Sequence, residues 1–129
     1  MLQGLVAPLL TPVHENGAPD INAMRRLVRH VIAGGADALF VFGSSGLYSF
    51  FTPEQKYETV KAVVETAVRR VPVVAGVTAS GLEMLRLNVE AVRSAGADAV
   101  VIAGPDTFAM RSEGDLKYHF LKALDIAAC

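Results

Sequence analysis

The chain has 129 residues, of which 52% are hydrophobic and 19% are charged, and its formal net charge is -1. This apolar content can build a core and argues against a disordered chain. The chain has 12 Lys and Arg residues against 13 Asp and Glu residues, and it has no basic run. This balance argues against nucleic acid or an anionic membrane as a partner. The single cysteine, Cys129, excludes an internal disulfide and a CxxC metal or redox site.

Targeting signals are not apparent in the sequence. No apolar run reaches the roughly 18 residues that a membrane span needs. The N-terminus, Met1 to Gly4, lacks the basic and apolar regions of a signal peptide. The sequence therefore predicts a soluble, cytoplasmic protein, and its length alone fits one ordinary domain.

The first two units each pair a short β-branched run with an amphipathic stretch. A strand at 4–10 stops before Pro12, and Asp20 is a candidate N-cap for the first helix. The apolar face of this helix is Met24, Leu27, Val28, Val31 and Ile32. A second strand at 38–42 is followed by Thr52-Pro53-Glu54-Gln55, which predicts a capped helix start. The face of the second helix is Tyr57, Val60, Val64 and Ala67.

The same pattern repeats in the second half of the chain. A third strand at 72–77 precedes Ser80 and Glu83, whose spacing predicts a capping box for the third helix. The face of that helix is Leu82, Leu85, Val89 and Val92. A fourth strand at 99–103 precedes a helix opened by Ser112 and Asp115. The stripe of the fourth helix is Leu116, Phe120, Leu124 and Ala127.

The resulting order, βαβαβαβα, predicts an α/β fold. Strands two to four are continuous apolar runs, so we expect both faces of each to be buried, as in a parallel sheet covered by helices. The segment 35–38, Gly-Ala-Asp-Ala, recurs at 96–99, two units later. Either alternate strands play equivalent roles, or this tetrapeptide is simply a good turn from helix to strand.

Ligands of parallel α/β folds bind at the carboxyl ends of the strands. Four loops are therefore candidates: 11–13, 43–46, 78–80 and 104–107. They contain no acidic, His or Cys cluster with metal-ligand spacing, so we expect neither a metal nor another cofactor.

Gly43-Ser44-Ser45-Gly46 is the most informative of these loops. Two glycines allow a tight turn with its N–H groups pointing inward, and two serines add hydroxyl donors. This combination suits a small anion such as a carboxylate, and it matches neither a nucleotide motif nor a nucleophile elbow. A purely structural turn is the alternative interpretation.

The remaining basic side chains give little indication of a site. Four lysines lie in helical patterns and are predicted to be solvated: Lys56, Lys61, Lys117 and Lys122. None lies on a strand, where a Schiff-base lysine is expected. We also expect His30 and His119 to be solvated, whereas His14, in the first loop, is within possible reach of a site.

Taken together, the segments resemble one enzyme family. The segments 8–12 (PLLTP), 43–46 (GSSG), 52–56 (TPEQK), 72–77 (PVVAGV) and 112–120 are similar, in order, to the dihydrodipicolinate synthase / N-acetylneuraminate lyase family. The resemblance runs over essentially the whole chain. It implies a (β/α)8 TIM barrel and a class I pyruvate aldolase or lyase, tetrameric at full length.

The resemblance also implies roles for the serine loop. Ser44 and Ser45 would hold the carboxylate of pyruvate with their hydroxyls and amides, between Gly43 and Gly46. Ser44 would also take part in a proton relay to a catalytic tyrosine. Fixing the carboxylate makes physical sense, because it turns the ketone of a 2-oxo acid toward the attacking amine.

Two positions depart from the family pattern. A glutamate that follows the second glycine in the family is Leu47 here, which resembles the 2-keto-3-deoxy-sugar-acid aldolases. The family's TPYYN segment, with its functional tyrosine, is replaced by Gly104-Pro105-Asp106-Thr107-Phe108. A different tyrosine, the catalytic one on the family's fifth strand, and the Schiff-base lysine on its sixth strand are both absent from this chain.

The sequence therefore predicts that residues 1–129 are the N-terminal half of a single TIM barrel, its first four βα units, with no second domain. The predicted function is a carbon–carbon lyase that is inactive as this chain alone. The alternatives are a dihydrodipicolinate synthase-like enzyme, a non-catalytic half-barrel that closes by dimerisation, and a small flavodoxin-like sheet.

Overall fold

The computed structural model describes residues 3–104 and 112–128. The strands are β1 (Val6–Pro8), β2 (Ala38–Val41), β3 (Val73–Gly76) and β4 (Ala99–Val101). The helices are α1 (Ile21–Ala33), α2 (Pro53–Ala67), α3 (Leu82–Ser94) and α4 (Glu113–Ala128), with short 3₁₀ helices at Ser44–Gly46 and Tyr48–Phe50. Among the described residues, no helix is both long enough and apolar enough to cross a membrane.

The four strands form one parallel sheet in the order β1-β2-β3-β4. This confirms the predicted succession of βα units. β2 and β3 are almost entirely buried, as expected for inner strands. For β4 the prediction of two buried faces was wrong, because Ala99 and Val101 are exposed. β4 is an edge strand among the described elements, so nothing there covers its outer side.

The first two helices begin as predicted, and α1 also packs as predicted. The face of α2 is only partly as predicted, because Val60 and Ala67 are buried while Tyr57 and Val64 are half-buried and Val63 is buried instead. The Asp20 carboxylate accepts a hydrogen bond from the Ala23 N–H at 2.8 Å and caps α1, which buries Met24 and Val28. The capping box of Thr52 and Gln55 opens α2. Both helices pack on the sheet and form a single core with α3.

The predicted capping box of α3 was wrong. The N-cap is Gly81, which makes no side-chain capping bond. Glu83 instead binds Arg86, three residues along the helix, at 2.7 Å. An arginine within one turn competes for the carboxylate that a capping box requires.

The N-terminus of α4 was predicted correctly and its buried face was not. The Ser112 hydroxyl accepts a hydrogen bond from the Asp115 N–H at 3.1 Å. However, Leu124 is 59% exposed, while His119, predicted to be solvated, is 8% exposed and Ala123 is fully buried. α4 packs against α3 through a face one residue away from the predicted stripe.

The repeated Gly-Ala-Asp-Ala segments perform the same task twice. Gly35 and Gly96 both adopt left-handed backbone conformations that end a helix. Asp37 then accepts a hydrogen bond from the Leu5 N–H at 2.7 Å, and Asp98 accepts one from the Val73 N–H at 2.7 Å. Each aspartate thus ties its strand to the preceding strand. The two predicted interpretations, equivalent strands and a good turn, therefore describe the same feature.

We expect Asp98→Ala to lower the free energy of unfolding by about 1–2 kcal/mol, because it removes a charge-assisted hydrogen bond to a strand N–H. Chemical denaturation followed by circular dichroism measures the loss. Glu58→Ala, at an exposed position on α2, is the control and should change stability by less than about 0.5 kcal/mol. Equal effects of the two substitutions would show that the hydrogen bond between Asp98 and the Val73 N–H does not stabilise the fold.

Candidate active site

The carboxyl ends of all four strands lie at one edge of the sheet, because the strands are parallel. Two threonines connect the loops that begin there. The Thr11 hydroxyl donates to the Gly46 carbonyl at 2.7 Å and joins the loops after β1 and β2. The Ala103 N–H donates to the Thr78 hydroxyl at 2.9 Å and joins the ends of β3 and β4. Three of the four predicted loops are described in full, and all three lie at this edge, as predicted.

The serine loop, residues 43–46, is a single 3₁₀ turn. The Gly46 N–H donates to the Gly43 carbonyl at 2.9 Å. Gly43 and Gly46 are buried, whereas Ser44 and Ser45 are exposed. The amides of these two serines begin the turn, where N–H groups have no acceptor within it. The loop therefore presents two hydroxyls and two amide donors on one short segment, which suits a carboxylate.

The glycines of the serine loop are needed for close packing. Neither Gly43 nor Gly46 has a positive φ. A Cβ at Gly43 would lie 2.9 Å from the Phe40 ring, and one at Gly46 would lie 3.0 Å from the Leu9 carbonyl oxygen. The sequence suggested that these glycines allow a tight turn. The structure gives a second reason for them, because a side chain at either position would collide with neighbouring residues.

Phe42, directly before the serine loop, has a left-handed backbone with φ 59. Bulky residues rarely adopt this conformation, and it turns the chain sharply at the end of β2. The Phe42 carbonyl lies so close to Gly76 on β3 that a Cβ there would be 2.0 Å from its oxygen. The sequence contains no local signal for this contact, since it joins two backbones from different strands.

The prediction that Lys56 is solvated was wrong. Its side chain is 1% exposed, and burial lowers the pKa of its ammonium to about 8. The Nζ atom lies 5.9 Å from the centroid of the Phe42 ring. A signal was present in the sequence, because Lys56 continues the series of buried residues Val60, Val63 and Ala67 at helical spacing.

A cavity of about 510 Å³ lies beside Lys56 and is separate from the serine pair. Its polar lining includes Tyr48, Thr78 and Asn88. The Asn88 amide donates to the Val77 carbonyl at 3.3 Å and so fixes α3 to the end of β3.

The other predicted candidates contribute less. His14 and His30 are both exposed, and the position of His30 off the apolar face agrees with prediction. Asp106, Thr107 and Phe108 lie outside the described residues. Within the described part of the chain, no group of three or more His, Cys, Asp or Glu side chains is placed to hold a metal.

Comparison with known proteins identifies the family. A sequence profile described as the Dihydrodipicolinate synthetase family matches residues 1–127. The chain belongs to the dihydrodipicolinate synthetase family. The 4-hydroxy-tetrahydrodipicolinate synthase of Methylococcus capsulatus is 36% identical over 130 residues, which cover 98% of this chain and 44% of that protein. The corresponding protein of Methylibium petroleiphilum is 35% identical and is covered to 43%.

Solved structures of this family share the fold. YagE, a prophage protein from E. coli K12 solved in complex with pyruvate, superposes with a TM-score of 0.87 at 26% identity. The match covers 97% of this chain and 42% of YagE. N-acetylneuraminate lyase of Proteus mirabilis, at 20% identity and a TM-score of 0.89, has the same fold. The chain thus spans less than half the length of these relatives and corresponds to the N-terminal half of their TIM barrel.

Proposed function

We propose that this chain is the carboxylate-binding half of a class I pyruvate-dependent aldolase, a carbon–carbon lyase. The observation that carries the proposal is the serine loop, a 3₁₀ turn with two exposed serines at the carboxyl end of β2. It is supported by family membership and by a relative that was solved with pyruvate bound. A 2-oxo acid supplies the small carboxylate that such a loop suits.

In the proposed reaction, the hydroxyls and amides of Ser44 and Ser45 hold the carboxylate of pyruvate. A lysine outside this chain attacks the fixed ketone and forms a Schiff base with loss of water. Ser44 relays a proton to a tyrosine that also lies outside this chain. In the cleavage direction the same imine forms on the larger 2-oxo acid adduct, accepts the electrons of the broken carbon–carbon bond and becomes the enamine of pyruvate. Protonation of the enamine and hydrolysis of the imine release pyruvate and the free lysine, so the reaction needs neither a metal nor an organic cofactor.

The outer edges of β1 and β4 indicate where the rest of the barrel would lie. Val6 on β1 and Val101 on β4 are large apolar side chains left exposed at these edges. Exposed strand edges with apolar side chains are normally covered in native proteins. Because the relatives are more than twice as long, we take the covering elements to be the remaining βα units rather than a second half-barrel. The whole enzyme would be cytoplasmic and would form a homo-oligomer, a tetramer by family resemblance.

Two classes of acceptor, the second substrate that combines with pyruvate, are candidates, and a different observation favours each. Leu47, at the position of the family's glutamate, favours a 2-keto-3-deoxy-sugar-acid aldolase. The names of the curated relatives favour the alternative, a dihydrodipicolinate synthase-like reaction. Both reactions begin with pyruvate bound through its carboxylate, so the proposed role of the serine loop is the same in each.

We expect pyruvate to shift the backbone amide resonances of residues 43–46 in this chain, and Ser45→Ala to weaken binding roughly tenfold. The loss of one hydrogen bond to a charged group has about this effect. An NMR titration gives the dissociation constant. Ser94→Ala, at the exposed end of α3, is the matched control.

Methyl pyruvate, which lacks the carboxylate charge, is the control ligand and should bind far more weakly. Equal responses to pyruvate and its ester, or equal binding by wild type and Ser45→Ala, would contradict the proposed role. If a longer protein that contains this chain forms no borohydride-trapped adduct with any 2-oxo acid, the assignment as an aldolase is wrong.

A further inference from the structure

The orientation of the serine loop depends on Phe42. This residue lies immediately before Gly43, and its left-handed backbone sets the direction in which the chain enters the turn. Because a phenylalanine does not favour this conformation, surrounding contacts must maintain it. Whatever holds Phe42 therefore also holds the hydroxyls and amides of Ser44 and Ser45.

Three contacts hold Phe42 in place. Its carbonyl packs against the bare Cα of Gly76. Its ring, which is 1% exposed, packs against Phe51 with a centroid distance of 5.6 Å. The Lys56 ammonium lies 5.9 Å from the same ring and is within the range of a cation–π contact.

The position of Lys56 is unfavourable for folding stability alone. Transfer of an ammonium group from water into the protein interior disfavours its charged form. Among the described residues that line the neighbouring cavity, the other titratable group is Tyr48, and no carboxylate is present there. Lys56 therefore lies in the apolar face of α2, and none of the described residues around the cavity offers it a carboxylate as a partner.

We propose that Lys56 is a positioning residue for the serine loop, acting through the ring of Phe42 against which its ammonium lies. The inference rests on the proposed function in one respect, namely that residues 43–46 bind the carboxylate. Lys56 itself touches neither the substrate nor the reacting atoms. Its charge and its length together hold Phe42, and Phe42 holds the turn.

The test compares wild type with Lys56→Met, which keeps the length of the side chain and removes the charge, and with Lys56→Arg, which keeps the charge. In the free protein, Lys56→Met should accelerate hydrogen exchange of the Gly46 amide at least tenfold, because that amide closes the turn. It should weaken pyruvate binding by a similar factor, and Lys56→Arg should restore part of both. The matched control is Lys61→Met, since Lys61 is exposed on the same helix with its Nζ 5.5 Å from the Tyr57 ring.

A pH titration separates this role from plain packing. In wild type, the ¹³Cβ resonances of Ser44 and Ser45 should titrate with a midpoint near the pKa of Lys56, about 8. That midpoint should be absent in Lys56→Met and unchanged in Lys61→Met. The wild-type titration remains decisive even if the methionine variant fails to fold.

The outcomes distinguish the two proposals. If wild type binds no pyruvate while Lys56→Met still loosens the turn and the serine titration is present, the proposed function fails and the positioning role stands. If pyruvate binds but the exchange rate, affinity and serine resonances do not depend on Lys56, the positioning role is overturned and the proposed function stands.

Discussion

Replacing Gly76 with alanine should lower the free energy of unfolding by about 3 kcal/mol or more, the largest effect that we expect of any single substitution. The new Cβ would lie 2.0 Å from the Phe42 carbonyl oxygen and 2.9 Å from its carbonyl carbon. Both atoms belong to the backbone, so relief requires β2 and β3 to separate or Phe42 to leave its left-handed conformation. Phe51 and Lys56 pack against the Phe42 ring and oppose that movement.

Urea denaturation followed by circular dichroism measures this loss, and Gly81→Ala is the matched control. A Cβ at Gly81 meets no atom within 4 Å, and its φ of -112 is open to any residue. Because glycine is a better N-cap than alanine, Gly81→Ala should lower the free energy of unfolding, but only by about 0.5–1 kcal/mol. A loss below about 1 kcal/mol for Gly76→Ala would show that the close approach is not maintained in solution. The substitution should also abolish the pyruvate response of the serine loop, since the loop follows Phe42 directly.

Lys56→Met should raise the free energy of unfolding at pH 7 by about 3 kcal/mol. Burial lowers the pKa of Lys56 from 10.5 in a model compound to about 8 in the folded protein. Each pKa unit corresponds to about 1.4 kcal/mol between the two protonation states. Methionine fills a similar volume without a charge and therefore removes this penalty.

The sign of the pH dependence follows from the same shift. Between pH 8 and 10.5 the unfolded chain binds more protons at Lys56 than the folded chain, so stability rises with pH in that window. Below pH 8 the full penalty is present. Wild type should therefore approach Lys56→Met in stability as pH rises from 8 to 10.5, and the two should become similar only above pH 10.5.

Denaturation curves at several pH values test this expectation, with Lys61→Met as the control for titration elsewhere in the chain. The exposed Lys61 should show no comparable gain at pH 7. A destabilised Lys56→Met variant at pH 7 would mean that the cation–π contact outweighs desolvation. If Lys56→Met is more stable than wild type but has a looser serine loop, the charge of Lys56 orders the loop and at the same time lowers the stability of the fold.

The features that the sequence predicted correctly are those encoded by local spacing. Met24 and Val28 recur at helical spacing and are buried, and Thr52 with Gln55 caps α2 as predicted. The position of the serine loop followed from a general rule about the carboxyl ends of parallel strands. The helix faces and the cap need no partner distant in the chain, and the parallel sheet was predicted from the alternation of elements and the apolar runs of the strands alone.

Some predictions failed for local reasons, as in α3, where Arg86 takes the Glu83 carboxylate, but others failed because they depend on partners distant in the chain. Lys56 was assigned to solvent by its residue type, although its spacing places it in the stripe that packs on Phe42. His119 is buried because α4 packs on α3 through an unexpected face. The contact of Phe42 with Gly76 joins two strands whose register no local pattern specifies.

The aspartate tethers have a consequence for how the sheet opens. Asp37 joins β2 to β1 and Asp98 joins β4 to β3, so each half of the chain is a strand pair that resists separation. The matching position before β3 is Pro72, which has neither a carboxylate nor an N–H. Sub-global opening should therefore begin between β2 and β3, where Phe42 meets Gly76. Such an opening would disturb Phe42 and the serine loop that follows it while each strand pair stayed folded. If the loop binds a carboxylate as proposed, the bound ligand should therefore also stabilise the contact between the two strand pairs.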